Sequence, residues 1–227
     1  MLGRKRGTSV TWIDALAGYI IAWRGIDAIA SIFPILSRWL DSPYGWAYAY
    51  HAWDFAVPVA WYAGLRRRFP IGGIRANELR GWVAPGVATI CVSLLALLVG
   101  YAFVGRNIHD AFDFSVQGWI FEATAPGLGE EFLFRGLVQT GLNASIPVAF
   151  FVRGVRINLG TILAALLFGV SHLGQNQPAF LTTSQLVFGP LVGLGLGIGY
   201  DRTRNLWGAV IVHNIANLIN QGLASLL

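Results

Sequence analysis

Charge is what this chain has least of. Asp, Glu, Lys and Arg make up 12% of its 227 residues, where a soluble domain carries about 25%. With 55% hydrophobic residues and nine Trp, the deficit places the chain in a lipid bilayer. Cysteine is nearly absent too. Cys91 stands alone, which rules out an intrachain disulfide, and no CxxC pair suggests a structural zinc. There is no low-complexity linker, no internal repeat and no separate soluble domain. The net charge of +5 comes from short clusters between apolar blocks. No long basic stripe is present, so nucleic acid is not an expected partner.

What is there is a series of apolar blocks. They run over 12–40, 44–65, 82–104, 119–142, 159–173, 180–200 and 206–227. A bilayer crossing needs about 20 such residues. The expected fold is therefore all-α, a polytopic transmembrane helical bundle of about seven spans in a single integral-membrane domain over 1–227. The 159–173 block is short for a crossing, with 148–155 as a candidate extension and a partly re-entrant segment as the alternative. Arg4-Lys5-Arg6 resembles the start of a signal peptide, but Trp12 and Asp14 interrupt the hydrophobic region that would follow. A retained first helix is expected.

Basic residues orient such bundles toward the cytoplasm. Arg4-Lys5-Arg6, Arg66-Arg67-Arg68, Arg153 with Arg156, and Arg202 with Arg204 all fall on one side if the N-terminus is cytoplasmic. The turns near Asp41, Asp110, Asp113 and Gln175 are poor in positive charge. Trp82, Trp119 and Trp207 begin apolar blocks, as interfacial aromatic belts do. The 66–80 connection has room for an interfacial helix.

Against this background, Glu130, Glu131 and Arg135 sit inside the fourth block. Each charge at a membrane centre costs about 2.5–3.5 kcal/mol on insertion scales, so three together call for a reason. Residues four apart share a helix face, so Glu131 and Arg135 can pair. Glu130 points about 100° away and is left over for proton transfer. His172 and His213 lie in later blocks, and His213, Asn217 and Asn220 form a polar stripe that must face the bundle interior or water. Ser171 beside His172 reads as a packing hydroxyl. Gly189, Gly193 and Gly197, with Gly195 and Gly199 as a second row, form small-residue faces for close helix contact. They do not make a dinucleotide fingerprint, because Tyr200 stands where the third glycine is needed.

Four motifs in series resemble the CAAX-protease and bacteriocin-processing family of intramembrane proteases (CPBP, also called Abi). They are Glu130-Glu131-x-x-x-Arg135, Phe168-x-x-x-His172, Thr203-Arg204-Asn205-Leu206-Trp207 after the glycine rows, and His213-x-x-x-Asn217. The motif-bearing part is 119–227, and the helices within 12–104 carry no cited motif. The resemblance implies an endopeptidase acting inside the membrane on a membrane-anchored or prenylated-type peptide. Glu130 would be the general base, His172 would hold the water, His213 and Asn217 would donate to the oxyanion, and Glu131 with Arg135 would orient the site. The expected chemistry uses no cofactor. Zinc on Glu130, His172 and His213 is the alternative.

Other classes stay open at this stage. Asp14, Arg24, Asp27, His51 and Asp54 lie in the first two blocks, with Arg24–Asp27 and His51–Asp54 at pairing distance along a helix. They could be paired structural charges, or a proton- or ion-coupled transport path using Asp27 and Asp54. A non-catalytic protein giving immunity to a peptide toxin is a third reading. Transport predicts tolerance of Glu130→Gln and loss of function on changing Asp27 and Asp54. Proteolysis predicts the reverse.

Overall fold

A computed structural model of the chain describes residues 10–33, 44–65, 69–70, 80–105, 107–108, 112–173 and 179–227, with 35, 38 and 40 singly. Arg4-Lys5-Arg6, Arg66-Arg67-Arg68, Asp41, Asp110, Gln175 and all of the 66–80 connection but 69, 70 and 80 lie outside the described residues.

Helix α1 (Trp12–Ile32) starts on a capping box. The Thr11 backbone N–H and hydroxyl both donate to Asp14 Oδ2 at 2.7 Å. Asp14 Oδ1 also accepts from Trp61 Nε1 at 3.0 Å, so this acid serves a helix start. The first helix ends earlier than the apolar block, at Ile32, with Phe33 extended. Phe33 precedes Pro34, and the residue before proline is pushed out of the helical region. Helices α2 (Gly45–Gly64) and α3 (Val83–Val104) follow the second and third blocks closely.

The fourth block is not one regular helix. Helix α4 (Val116–Glu131) leads into a π-helix over Phe132–Gln139, then into α5 (Thr140–Ser145). Every residue of the π segment is buried. This continuous run occupies the middle of the bundle, packed against α1, α2 and the three later helices.

Residues 148–155 do not extend the fifth block. They belong to an antiparallel hairpin, β1 (Ala149–Val152) with β2 (Val155–Asn158), which pairs Phe150 with Ile157 and Phe151 with Arg156. The turn places Arg153 and Gly154 at φ 49° and 79°, the conformation a tight two-residue hairpin needs. Helix α6 (Leu159–Val170) then runs only 12 residues, followed by α7 (Ala179–Thr203) and α8 (Leu206–Ala224). Arg204 has φ 52°, and Asn205 caps α8 by accepting from the Gly208 amide at 3.0 Å.

Both glycine rows bring helices together. A Cβ at Gly193 would lie 3.2 Å from Phe168 and one at Gly189 3.3 Å from Gly169, both on α6. A Cβ at Gly195 would meet Thr89 of α3 at 2.4 Å. Gly199 and Gly208 form a slot filled by the Trp82 ring, which is 3% exposed. Trp82 is therefore a core residue, where its place in the chain suggested an interfacial belt. Trp207 packs edge-on against Phe132 at 5.9 Å.

Among the described residues, three stretches are long and apolar enough to cross a bilayer: Trp12–Ile32, Val83–Val104 and Thr182–Thr203. The other long helices carry polar side chains turned inward. Outward, the surface is apolar: Phe103 is 84% exposed while Glu131 and Arg135 are 0% exposed. Charge inside and hydrocarbon outside is the arrangement a bilayer selects.

Candidate active site

Helix α4 presents the acids. Ser115 caps it, accepting from the Gly118 amide at 3.1 Å, and Pro126 interrupts its hydrogen bonding one turn before the adjacent glutamates. The two carboxylates then diverge. Glu131 accepts from Arg135 Nε at 2.8 Å and from His213 Nδ1 at 2.9 Å, and its side chain is 0% exposed. Glu130 is 15% exposed, and the space it faces is an open cavity of about 560 Å³. The pairing expected for Glu131 and Arg135 is present, and Glu130 is the acid left with access to that space.

The same cavity is lined by His172, His213 and Asn217. His172 uses Nδ1 to donate to the Phe168 carbonyl at 2.9 Å. The Phe168 ring sits edge-on to His172 at 5.2 Å and to His213 at 6.1 Å, and the Arg135 guanidinium lies 5.4 Å from its centre. One aromatic ring thus sets the spacing of both histidines. His213 turns Nδ1 toward Glu131 and has Nε2 3.9 Å from Glu130 Oε2. Asn217 lies beside Glu122 on the cavity wall. The stripe ends at Asn220, which donates to Ser93 of α3 at 2.6 Å. Ser171 donates to the Phe168 carbonyl at 2.7 Å, as a packing hydroxyl would.

Residues outside the sequence motifs complete the lining. His51 Nε2 lies 3.2 Å from Glu130 Oε1, and Asp54 and Glu122 border the same cavity. His51 was expected beside Asp54 as a structural or transport residue, and Glu122 drew no notice in the sequence. Nothing local marks either one: the His51–Glu130 contact spans 79 residues. The Arg24–Asp27 pair is not formed. Tyr50 donates to Asp27, and the Arg24 guanidinium lies 4.9 Å over the Trp23 ring. Asp27 and Asp54 open into the cavity that holds Glu130.

No three His, Cys, Asp or Glu side chains among the described residues converge on one ion position. Glu130 Oε1 faces His51, and His213 Nδ1 faces Glu131.

Residues 111–219 match the family model described as type II CAAX prenyl endopeptidase Rce1-like. The match covers just under half of the chain and is a likeness to that family over these residues. No curated protein and no solved structure matches the chain. The Rce1-like segment holds Glu122, Glu130, Glu131, Arg135, His172, His213 and Asn217, and it leaves out α1, α2 and α3. His51 and Asp54 therefore reach the cavity from outside the matched segment.

Proposed function

We propose that the chain is an intramembrane endopeptidase that uses Glu130 to activate water against a peptide bond in a membrane-anchored, prenylated-type substrate. One observation carries this. Of two adjacent glutamates, Glu131 is sealed by Arg135 and His213, while Glu130 opens into a cavity lined by histidines.

Glu130 takes a proton from water as the water oxygen bonds to the carbonyl carbon, a role that contributes roughly 10²–10⁴-fold. His172, across the cavity, orients the water. His213 gives its Nδ1 hydrogen to Glu131, so Nε2 donates only when the ring is an imidazolium. That donor and the Asn217 amide serve the tetrahedral oxyanion. Loss of one such donor costs about 3–4 kcal/mol. The proton held by Glu130 passes to the amine as the C–N bond breaks. No step is routed through a metal.

We place seven spans in the bilayer with the N-terminus in the cytoplasm. Arg156, Arg202 and Arg204 line one crevice, which supports putting both of their clusters on the same side.

The test uses protein purified in detergent and a panel of membrane-tethered, farnesylated peptides. Glu130→Gln is expected to lower kcat at least 100-fold, with chelator leaving the wild-type rate unchanged. A wild-type rate in Glu130→Gln sinks the mechanism. Loss on chelation with recovery on adding zinc overturns the metal-free chemistry.

A further inference from the structure

His51 lies outside the Rce1-like segment, yet its polar contact to Glu130 is shorter than that of His213. Nε2 is 3.2 Å from Oε1. The approach depends on Gly129. A Cβ there would lie 2.4 Å from the His51 carbonyl oxygen and 2.9 Å from its Cα, so only a residue without a side chain lets α2 come this close to α4. The Phe121 ring stands edge-on to the imidazole at 5.2 Å and 88°, which holds its plane.

The proton count follows from the partners. His51 Nδ1 is 2.7 Å from the Ala47 carbonyl. A carbonyl only accepts, so Nδ1 carries a hydrogen. In the neutral ring Nε2 is then a lone pair, and it faces a carboxylate that is also acceptor-only. A hydrogen bond between them requires one further proton, on Nε2 or on Oε1. His51 and Glu130 share it.

We propose that His51 is the positioning residue for Glu130: it holds Oε1 through the shared proton and leaves Oε2 as the atom that receives a proton from water. This rests on the peptidase function proposed above. The resting pair holds one proton. Attack of water adds a second, on Oε2, as the C–O bond forms and the carbonyl electron pair moves to oxygen. Breakage of the C–N bond sends that second proton to the departing nitrogen, and the product carboxyl group releases the last water hydrogen to solvent. The pair returns to one proton. The other ionisable groups near the pair are Asp54 on the His51 helix, Glu122 on α4 and, acting on Glu130, His213 on α8 and His172, and α1 brings Arg24 and Asp27 to the adjacent Tyr50.

The experiment compares full-length wild type with His51→Gln and His51→Asn on a farnesylated peptide, reading kcat, KM, the pH–rate profile and the melting temperature. His51→Gln offers an amide hydrogen bond to Glu130 but cannot share a proton. The expected result is a kcat lowered on the order of 100-fold, KM within about threefold and a changed pH profile, with melting preserved. His51→Asn serves the same purpose if the glutamine does not fold. A wild-type kcat and pH profile in a folded variant overturns the proposal. Glu130→Gln run in parallel separates the two claims. If it stays active, the peptidase mechanism fails. If it is dead while His51→Gln is fully active, only the role of His51 fails. A readout without turnover is the imidazole nitrogen spectrum of ¹⁵N-histidine-labelled protein. The His51 signals should move on Glu130→Gln, and unmoved signals overturn the shared proton.

Discussion

The Asn214 side chain accepts a hydrogen bond from the Gly127 backbone amide at 2.8 Å. The bond falls beside Pro126, whose ring removes a donor from the α4 ladder, and Asn214 Nδ2 reaches the Thr124 carbonyl at 3.4 Å. One asparagine on α8 thus bridges the weak point of α4, just ahead of Glu130. Asn214→Ala leaves a buried N–H without its partner, a loss of about 1–3 kcal/mol. Thermal denaturation in detergent should show the drop. A melting temperature equal to wild type would argue that the α4 break needs no bridge.

The buried pair of Glu131 and Arg135 has no water to fall back on. Removing one member strands the other, so Arg135→Ala should destabilise by about 3–5 kcal/mol. The double variant Glu131→Leu with Arg135→Met removes both charges and is expected to recover much of that loss while remaining inactive, because His213 then lacks its carboxylate. Denaturant titrations of the single and double variants measure both effects. A double variant no more stable than the single one contradicts the account.

Two glycines on facing helices predict opposite outcomes. Gly129→Ala drives a methyl group into the His51 backbone at 2.4 Å, so overpacking of about 1–3 kcal/mol and loss of peptidase activity are expected. Gly64 on α2 has no atom within 4 Å of an added Cβ. Gly64→Ala should change stability by less than about 1 kcal/mol and leave activity intact. Equal effects at the two sites would show that close helix approach at Gly129 is unimportant.

Topology is testable because Cys91 is the only cysteine and can be replaced to give a clean background. On that background, Arg153→Cys at the hairpin turn and Ser225→Cys near the end of α8 should label from opposite sides. A membrane-impermeant maleimide on intact cells is expected to reach Ser225→Cys, and to reach Arg153→Cys only after lysis. The opposite pattern reverses the orientation.

Much of the site was legible because helical spacing is a local rule. Glu131 and Arg135 four apart, the His213 stripe and the two glycine rows each encode a face, and each face meets a neighbour in the structure. What periodicity does not carry is which neighbour. His51 reaches Glu130 only because two helices distant in sequence touch at Gly129. Glu122 stands eight residues before Glu130 and joins it in the cavity through the setting of α4 against α8. The hairpin stood in the sequence as a candidate extension of the short fifth block because Ala149-Phe150-Phe151-Val152 is apolar, and the signal that mattered was the Arg153-Gly154 turn. Trp82 was misread because its slot is made of absences, Gly199 and Gly208, on two other helices.

The π segment from Phe132 to Gln139 has a consequence for how the halves of the bundle stay in phase. A π turn takes up an extra residue relative to an α turn, and one residue of α-helix corresponds to about 100° of rotation. The segment is therefore an angular spacer. Upstream of it, α4 aims Glu130 at the cavity. Downstream, Gln139 and Asn143 aim at Asp201, to which both donate, at 3.0 and 2.9 Å. Deleting a single residue within 132–139 would let the run close into plain α-helix and swing one of these two faces out of alignment with its partners. The chain can serve the cavity or the Asp201 cluster with a regular helix, but it needs the wider turn to serve both.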